Sequence, residues 1–600
     1  MIPYGAQLRR KKNGVKLQSS GGGGDSTPNG LGEGISISGM DKVWRRGTSN
    51  NFSLTVPINY SYTLDIIEHE SMITGFATNT MDIVKTQSGT YTGSPVTVTH
   101  TFTSLGAYDI RVRISKGALS FERFWVLDQG IIASFEKFVE GGAGVTTYDL
   151  ATQIGYKLFS GDNTGKKILL KNSGTSSGYM AFEGLSSTDP QNPAMILCET
   201  SGGPIRITGT ASYCMRFNRG NRNVWFDGAG NPDYLYGMEL YFSGASGHAQ
   251  TCFIEAGDSG TISSTVSKNL WIIGVKTMGL SGTASDSSSH FKIDTPFNVN
   301  LNYDTWLANG LGAFEDCHIM HCEINSGDDE GCYLGPVDTT PHPTYISVPL
   351  VRLRVAGIVI NDTGGDGCQI GAGTIDSEVV GVTTTNVATR NDPSHKNQFQ
   401  SSSSNQNLAL YRCKGVSGKN AFTDATGNIG KEKYIFSNEF NNPTSDSNGH
   451  TNFFIRVDQN SYGGNDHLPL QFIHNTIVLQ ENKYFEMWNA ASSGITTLVD
   501  LKIQNNMIIG DGSALVTKFN NIDDASWINT NNTQGTDGST AGFANWGSKD
   551  YHPNALTGSM YGALTSYTAA HPMMDYDRDG YKFVSAYPVR GCYQKVTAMT

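Results

Sequence analysis

The sequence predicts an all-β chain: a right-handed parallel β-helix, a solenoid of stacked coils, preceded by a small β-sandwich. Three observations predict it. A turn signature occurs twice, 36 residues apart: Asn325-Ser326-Gly327-Asp328-Asp329-Glu330-Gly331-Cys332-Tyr333-Leu334-Gly335 and Asn361-Asp362-Thr363-Gly364-Gly365-Asp366-Gly367-Cys368-Gln369-Ile370-Gly371. Both follow a short apolar run and end in Gly-Cys-x-[Leu/Ile]-Gly, and self-similarity at such a period marks stacked units that share one core. The composition agrees: 70 of 600 residues are glycine and only 16% are charged, against roughly 25% charged in average proteins. From residue 129 onward, short strands alternate with Gly/Asn/Ser/Asp turns, as in Lys167-Ile168-Leu169-Leu170-Lys171 and Asn269-Leu270-Trp271-Ile272-Ile273-Gly274.

The bulk numbers exclude several classes. A net charge of −11 supplies no basic face for nucleic acid. No run of 18 apolar residues suggests a membrane span. The nine cysteines include no C-x-x-C pair, and Cys198, Cys252, Cys317 and Cys322 sit inside apolar strands, so they read as buried free thiols.

Residues 1–35 form a polar arm with Arg9, Arg10, Lys11, Lys12 and Lys16 and no acid before Asp25. No apolar h-region follows the basic cluster, so no secretory signal is expected at this start. The arm reads as a tail or as an anchor that orders on a larger assembly. Residues 36–128 read as a small β-sandwich. Period-two alternation in Val96-Thr97-Val98-Thr99-His100-Thr101-Phe102 and in Tyr108-Asp109-Ile110-Arg111-Val112-Arg113-Ile114, with the link 103–107 between them, predicts a hairpin. The stretch from His100 to Tyr108 resembles the H-x-[YF]-x-x-x-G-x-Y signature of PKD-type immunoglobulin-like domains, which implies a spacer or a weak glycan contact.

Residues 129–600 are expected to form the β-helix and its closing segment. One turn position recurs as Cys322, Ile358, Asn438, Asn475 and Asn506, with the gap of 80 between Ile358 and Asn438 read as two coils. The asparagines predict a stacked amide ladder. Roughly residues 150–600 resemble the right-handed parallel β-helix proteins of the pectate-lyase-like superfamily. Near the end, Asp550-Tyr551-His552-Pro553 and Asp575-Tyr576-Asp577-Arg578-Asp579-Gly580 resemble that group's closing turns, whereas Gly591-Cys592-Tyr593-Gln594 keeps the terminal aromatic and loses the acid.

Aligning Gly331 with Gly367 sets Glu330 over Asp366 and Cys332 over Cys368, with neighbouring coils about 4.8 Å apart. Asp328, Asp329, Glu330 and Asp366 are the candidate catalytic residues, because a carboxylate pair can hydrolyse a glycosidic bond. Glu330 and Asp366 are also the candidate calcium ligands. Gly327-Asp328-Asp329 resembles the G-D-D element of polygalacturonases, but that family's N-T-D and R-I-K elements are missing. For a lyase, Arg352, Arg354, Arg390, His395 and Lys396 supply candidate cations and bases, the loop 391–397 above all. Asp575-x-Asp577-x-Asp579-Gly580 matches the first half of a calcium loop, but its twelfth position is Ala586, so it reads as structural. Tyr234, Tyr236 and Tyr241 near Asp227 and Asp233, with Trp488 and Trp527 later, are candidate sugar-stacking aromatics.

Three functions fit these readings. The first is a bacteriophage tailspike or tail-fibre protein, located in the virion tail, that binds and can cleave a surface polysaccharide, with its arm on other tail proteins. Resemblance to β-helical tailspikes implies a homotrimer. The second is a secreted polysaccharide lyase or glycoside hydrolase, and the third is a non-catalytic structural or adhesive β-helix. None requires a cofactor, and calcium is the one candidate ion.

Overall fold

The computed structural model describes residues 34–152, most of 157–442, and shorter stretches between residues 452 and 592. The N-terminal arm (residues 1–33) and the loop 390–396 lie outside the described residues.

The chain is all-β, with one short α-helix, His69–Gly75, among the described residues. From Val145 onward its strands assemble into large parallel sheets of 27 and 12 strands. The pairings resolve into three ladders. Arg222–Asp227 in the first pairs in register with Lys268–Ile273. Gln250–Glu255 in the second pairs with Ser289–Asp294. Met238–Phe242 in the third pairs with Val275–Gly279. Each pass of the chain visits the first, third and second ladder in turn, an arrangement compatible with the expected parallel β-helix. No single pass can bury its own apolar side; stacking makes one continuous core in which Ile196, Phe226, Ile272, Ile319, Val355 and Val379 follow one another.

The register read from the repeated turn holds: Cys332 pairs with Cys368, Leu334 with Ile370 and Asn325 with Asn361. All nine cysteines are buried free thiols. The signature's glycines have a steric cause. A Cβ on Gly331 would lie 2.5 Å from the Gly367 carbonyl and 2.7 Å from Ile360, and one on Gly367 would lie 2.6 Å from the Gln398 carbonyl.

The amide ladder is present. Asn475 Oδ1 accepts from Asn438 N (3.1 Å) and Asn438 Nδ2 (3.0 Å), and Asn506 Oδ1 accepts from Asn475 N (2.8 Å) and Nδ2 (3.1 Å). The step from Ile358 to Asn438, read as two coils, is three. Val382 and Cys413 intervene: Thr383 N bonds to the Ile358 carbonyl, Lys414 N to that of Val382 and Glu439 N to that of Cys413. Short loops compress these passes, so an average period miscounted them.

The N-terminal module consists of a three-stranded sheet (Ser36–Ser38, Ser49–Thr55, Val96–Thr101) and a six-stranded one, enclosing Trp44, Phe52, Leu64, Phe102, Tyr108 and Ile110. The hairpin expected across residues 103–107 is not formed. Val96–Thr101 pairs with Ser49–Thr55, whereas Gly106–Lys116 pairs with Ser61–Glu68 in the other sheet. The link crosses between sheets because Phe102 and Tyr108 must meet in the core, their ring centroids 4.3 Å apart, and the Tyr108 hydroxyl donates to the Ser104 carbonyl. The strand Ile131–Ser134 also pairs within this module, and the first ladder starts at Val145–Asp149.

This module is not a detached spacer. The outward face of the first ladder carries Met195, Trp225, Trp271, Met320 and Tyr411, all buried against Ile67, Met72, Leu105, Phe124, Leu127 and Phe135 of the module and Met573, Met574 and Tyr576 near the C-terminus. Trp225 stacks on Trp271 (4.2 Å), and Trp271 on His318 (3.7 Å). The C-terminal segment bonds to both parts: Phe124 N donates to the Gly580 carbonyl, the Tyr581 hydroxyl to the Ile35 carbonyl and Ser437 Oγ to the Tyr576 carbonyl.

Two outcomes follow. Asn475→Ala leaves buried donors without acceptors, each costing about 1–3 kcal/mol, and calorimetry should show a clear fall in melting temperature. Gly381 has φ +61°, and a Cβ there would lie 2.3 Å from the Asp128 side chain, so Gly381→Ala should loosen the module. Limited proteolysis would then cut within 139–144 faster than in the parent chain; equal cleavage would refute this account of docking.

Candidate functional site

The second ladder carries the candidate acids. In one of its passes two successive residues, Cys214 and Met215, reach the core; in the next passes core and outward residues alternate, as Cys252 and Ile254 or Phe291 and Ile293 reach the core with one residue between them. Flanking residues therefore face outward. Gly331 points toward Ile360 in the core, so Glu330 lies on the outer side, in register with Ser289. Asp366 Oδ1 accepts from Asn397 N (2.6 Å) and Asn397 Nδ2 (3.1 Å), and the same amide also donates to Gln400 Oε1 (2.8 Å). Glu330 and Asp366 thus occupy adjacent passes, as the alignment expects, and both are buried. Asp328 and Asp329 lie outside the described residues.

Beside this acid column runs a row that the sequence reading missed: Arg216, Phe253, Lys292 and Tyr333, in direct register on four passes. Rings and cations alternate along it. The Arg216 guanidinium lies 5.3 Å from the rings of both Tyr213 and Phe253, and Lys292 Nζ lies 5.0 Å from the Tyr333 ring. Tyr179 meets Tyr213 edge-on at 5.3 Å, and Tyr213 lies 4.9 Å from Phe253. Glu255 holds Arg216 by an ion pair of 3.0 Å, while burial pushes the Tyr213 hydroxyl pKa up. Tyr179, Tyr213, Arg216, Lys292, Glu255 and Asp294 are all half-buried. Later in the same two passes, Phe297–Val299 pairs antiparallel with Tyr345–Ser347. The signal in the sequence was an aromatic or cation at one offset in each pass, readable only once the passes are in register.

Other candidates are placed differently. Arg352 is held by Asp316 and Glu315. Arg354 is buried between Glu70 and Glu378, so neither described arginine is poised for a uronate. Arg390, His395, Lys396, Tyr234, Asp233 and Trp527 lie outside the described residues, as does the side chain of Trp488. Tyr241 lies beneath Arg206 at 5.6 Å on the third ladder. Asp227 is buried and paired with Arg45 of the module. Asp577 closes its own turn by accepting from Tyr581 N, while the Gly580 carbonyl accepts from Phe124 N. Among the described residues, no three His, Cys, Asp or Glu side chains converge as metal ligands.

The densest titratable cluster is at the docking seam. Glu378 meets His69 Nε2 (2.8 Å), His571 Nε2 (3.0 Å), Arg354 Nε (3.0 Å) and the Tyr411 hydroxyl (2.8 Å). His69 Nδ1 meets Asp109 at 2.7 Å. With a carboxylate on each ring nitrogen, both nitrogens must donate, so His69 is an imidazolium. Burial alone would lower its pKa, but Asp109 and Glu378 reverse this and hold it at about 10. Burial would likewise raise Glu378, yet His69 and Arg354 keep it well below the ordinary carboxylate range. The cluster is buried and joins the module, the first ladder and the C-terminal segment, so its role is docking.

No protein-family model matches the chain, and no curated protein matches its sequence.

The seam sets a pH dependence. The His69 contribution is complete below its unfolded value of 6.5 and is lost as pH rises toward 10. That of Glu378 is present above 4.5 and is lost only in stronger acid. Docking should therefore be tightest between about pH 5 and 7 and weaken in alkali. His69→Gln should lower the melting temperature near pH 6 and flatten its alkaline decline; parallel curves for the two proteins would contradict this.

Proposed function

We propose that the chain is a right-handed parallel β-helix with a docked immunoglobulin-like module, and that it binds a cell-surface polysaccharide on the outward face of its second ladder. The observation that carries this reading is the shared face: the Glu330–Asp366 column and the row from Arg216 to Tyr333 lie side by side on it. A polymer of sugars needs an extended surface with aromatic faces for its C–H patches and fixed polar groups for its hydroxyls, and a ladder repeats such groups at about 4.8 Å. The module supports the immunoglobulin-like reading through its two packed sheets and its Tyr108 hydroxyl bonded to the backbone just upstream.

The layout of basic arm, small β module and long parallel stack supports a virion role as a tailspike or tail fibre. The acid column supports cleavage by hydrolysis; of the described candidate cations for a lyase, Arg352 and Arg354 are committed to ion pairs.

The test is to incubate the purified protein with capsular and lipopolysaccharide glycans, following binding by interferometry, reducing ends for hydrolysis and ultraviolet absorbance for unsaturated products. Binding with reducing-end release is expected, and Glu330→Gln with Asp366→Asn should abolish release while keeping binding. Release unchanged in the double variant would remove the acid pair from the chemistry, and absence of binding to any glycan would defeat the reading.

A further inference from the structure

We propose that the row Tyr213–Arg216–Phe253–Lys292–Tyr333 is a subsite for uncharged sugar units, hexoses or N-acetylhexosamines, and that it discriminates against uronates. The proposal rests on the polysaccharide reading and names which sugars that face takes. Three observations carry it.

The first is the state of the cations. Arg216 is not presented to a ligand as a bare charge. Its guanidinium is tied to Glu255 at 3.0 Å and sandwiched by rings, 5.3 Å from Tyr213 and from Phe253 and 6.0 Å from Tyr179. Lys292 likewise lies over Tyr333. Cations placed over rings fix the orientation of those rings and satisfy part of their own charge. They rigidify a platform more than they attract an anion.

The second is the sign of what remains. Glu183, Glu255 and Asp294 flank the row and are half-buried, against two cations, Arg216 and Lys292. Glu183 accepts from Asn218 (3.0 Å) on the same face. Glu255 and Asp294 pair in register on adjacent passes, and Glu330 and Asp366 continue the acidic character alongside. The described groups of the face are therefore net acidic. A uronate adds one negative charge per sugar, and like charges brought close together near a protein surface repel. An uncharged sugar brings hydroxyl donors, which fixed carboxylates accept.

The third is the shape of the row. Tyr179 and Tyr213 are half-buried, so both side chains reach the surface, where an aromatic group can meet a sugar's C–H face.

The experiment uses the full-length protein and four immobilised probes: a β-glucan, a galactan, N-acetylglucosamine oligosaccharides and polygalacturonate, at low and at physiological salt. Binding to at least one uncharged probe is expected, with at least tenfold weaker binding to polygalacturonate. Tyr213→Ala should lose at least tenfold for the uncharged probe, whereas Tyr213→Phe, which keeps the ring, should stay within threefold; circular dichroism and melting temperature confirm that both fold. Glu255→Gln with Asp294→Asn should strengthen polygalacturonate binding severalfold, most at low salt. Preferential binding of polygalacturonate by the parent protein would overturn the proposal while leaving the polysaccharide reading intact. Uncharged-probe binding indifferent to Tyr213→Ala would overturn the assignment of the subsite. Failure of all four probes and of the surface glycans above would defeat both.

Discussion

The outward face of the first ladder is apolar, and that constraint organises much of the molecule. A stacked parallel sheet normally buries one side of each strand and leaves the other to water. Here Trp225, Trp271, Met320 and Tyr411 lie on the far side from the core, and water would be a poor neighbour for them: fully burying each large apolar side chain is worth about 1.5–3 kcal/mol. The N-terminal module and the segment from His571 to Phe583 supply the cover. Once they do, polar groups at the seam lose water too, and the Glu378 cluster is the result. A buried carboxylate with four donors around it is stable only with all of them in place, so the cluster fixes where the module sits as well as whether it sits there.

The turn column beside that face makes the fit possible. His321, Gly357, Gly381, Arg412, Ser437 and His474 all have positive φ on successive passes. Two glycines in a row leave a slot into which Asp128 enters, close to the Gly381 backbone, with Arg412 3.9 Å from its carboxylate. Lys42 is half-buried nearby, and desolvation lowers its pKa to about 8 despite Asp128. Further along, Ser437 takes the Tyr576 carbonyl and His474 stacks on Phe583 at 4.1 Å. One column of left-handed turns thus receives both the module and the C-terminal segment.

Covering one side of the stack also separates roles. The first ladder is spent on docking. The third carries ion pairs between adjacent passes, such as Arg206 with Glu239 and Lys276 with Glu323, which suits a solvated face. The second is the one on which half-buried rings, cations and carboxylates are interleaved, and the proposed glycan face is placed there for that reason.

The sequence by itself determined the stacking, the register at Cys332 and Cys368, and the asparagine ladder, because each depends on residues that recur at one spacing and meet their own copies. The two-sided burial of the first ladder left a signal that the sequence reading did not use: Ala194–Cys198 is apolar throughout, whereas Ile205-Arg206-Ile207-Thr208 in the third ladder alternates. Which element covers that face was not legible, since His69 and Glu378 are 309 residues apart and neither has a local pattern that names the other. The crossing at 103–107 hid for the same reason: alternation reports that a strand has two faces, not which strand lies beside it. Of the site, Glu330 over Asp366 could be read from one repeat. The row beside them could not, because Arg216 and Tyr333 fall in one row only when irregular loops of different length bring four passes into register, and that alignment is a property of the packed core rather than of any segment of the chain.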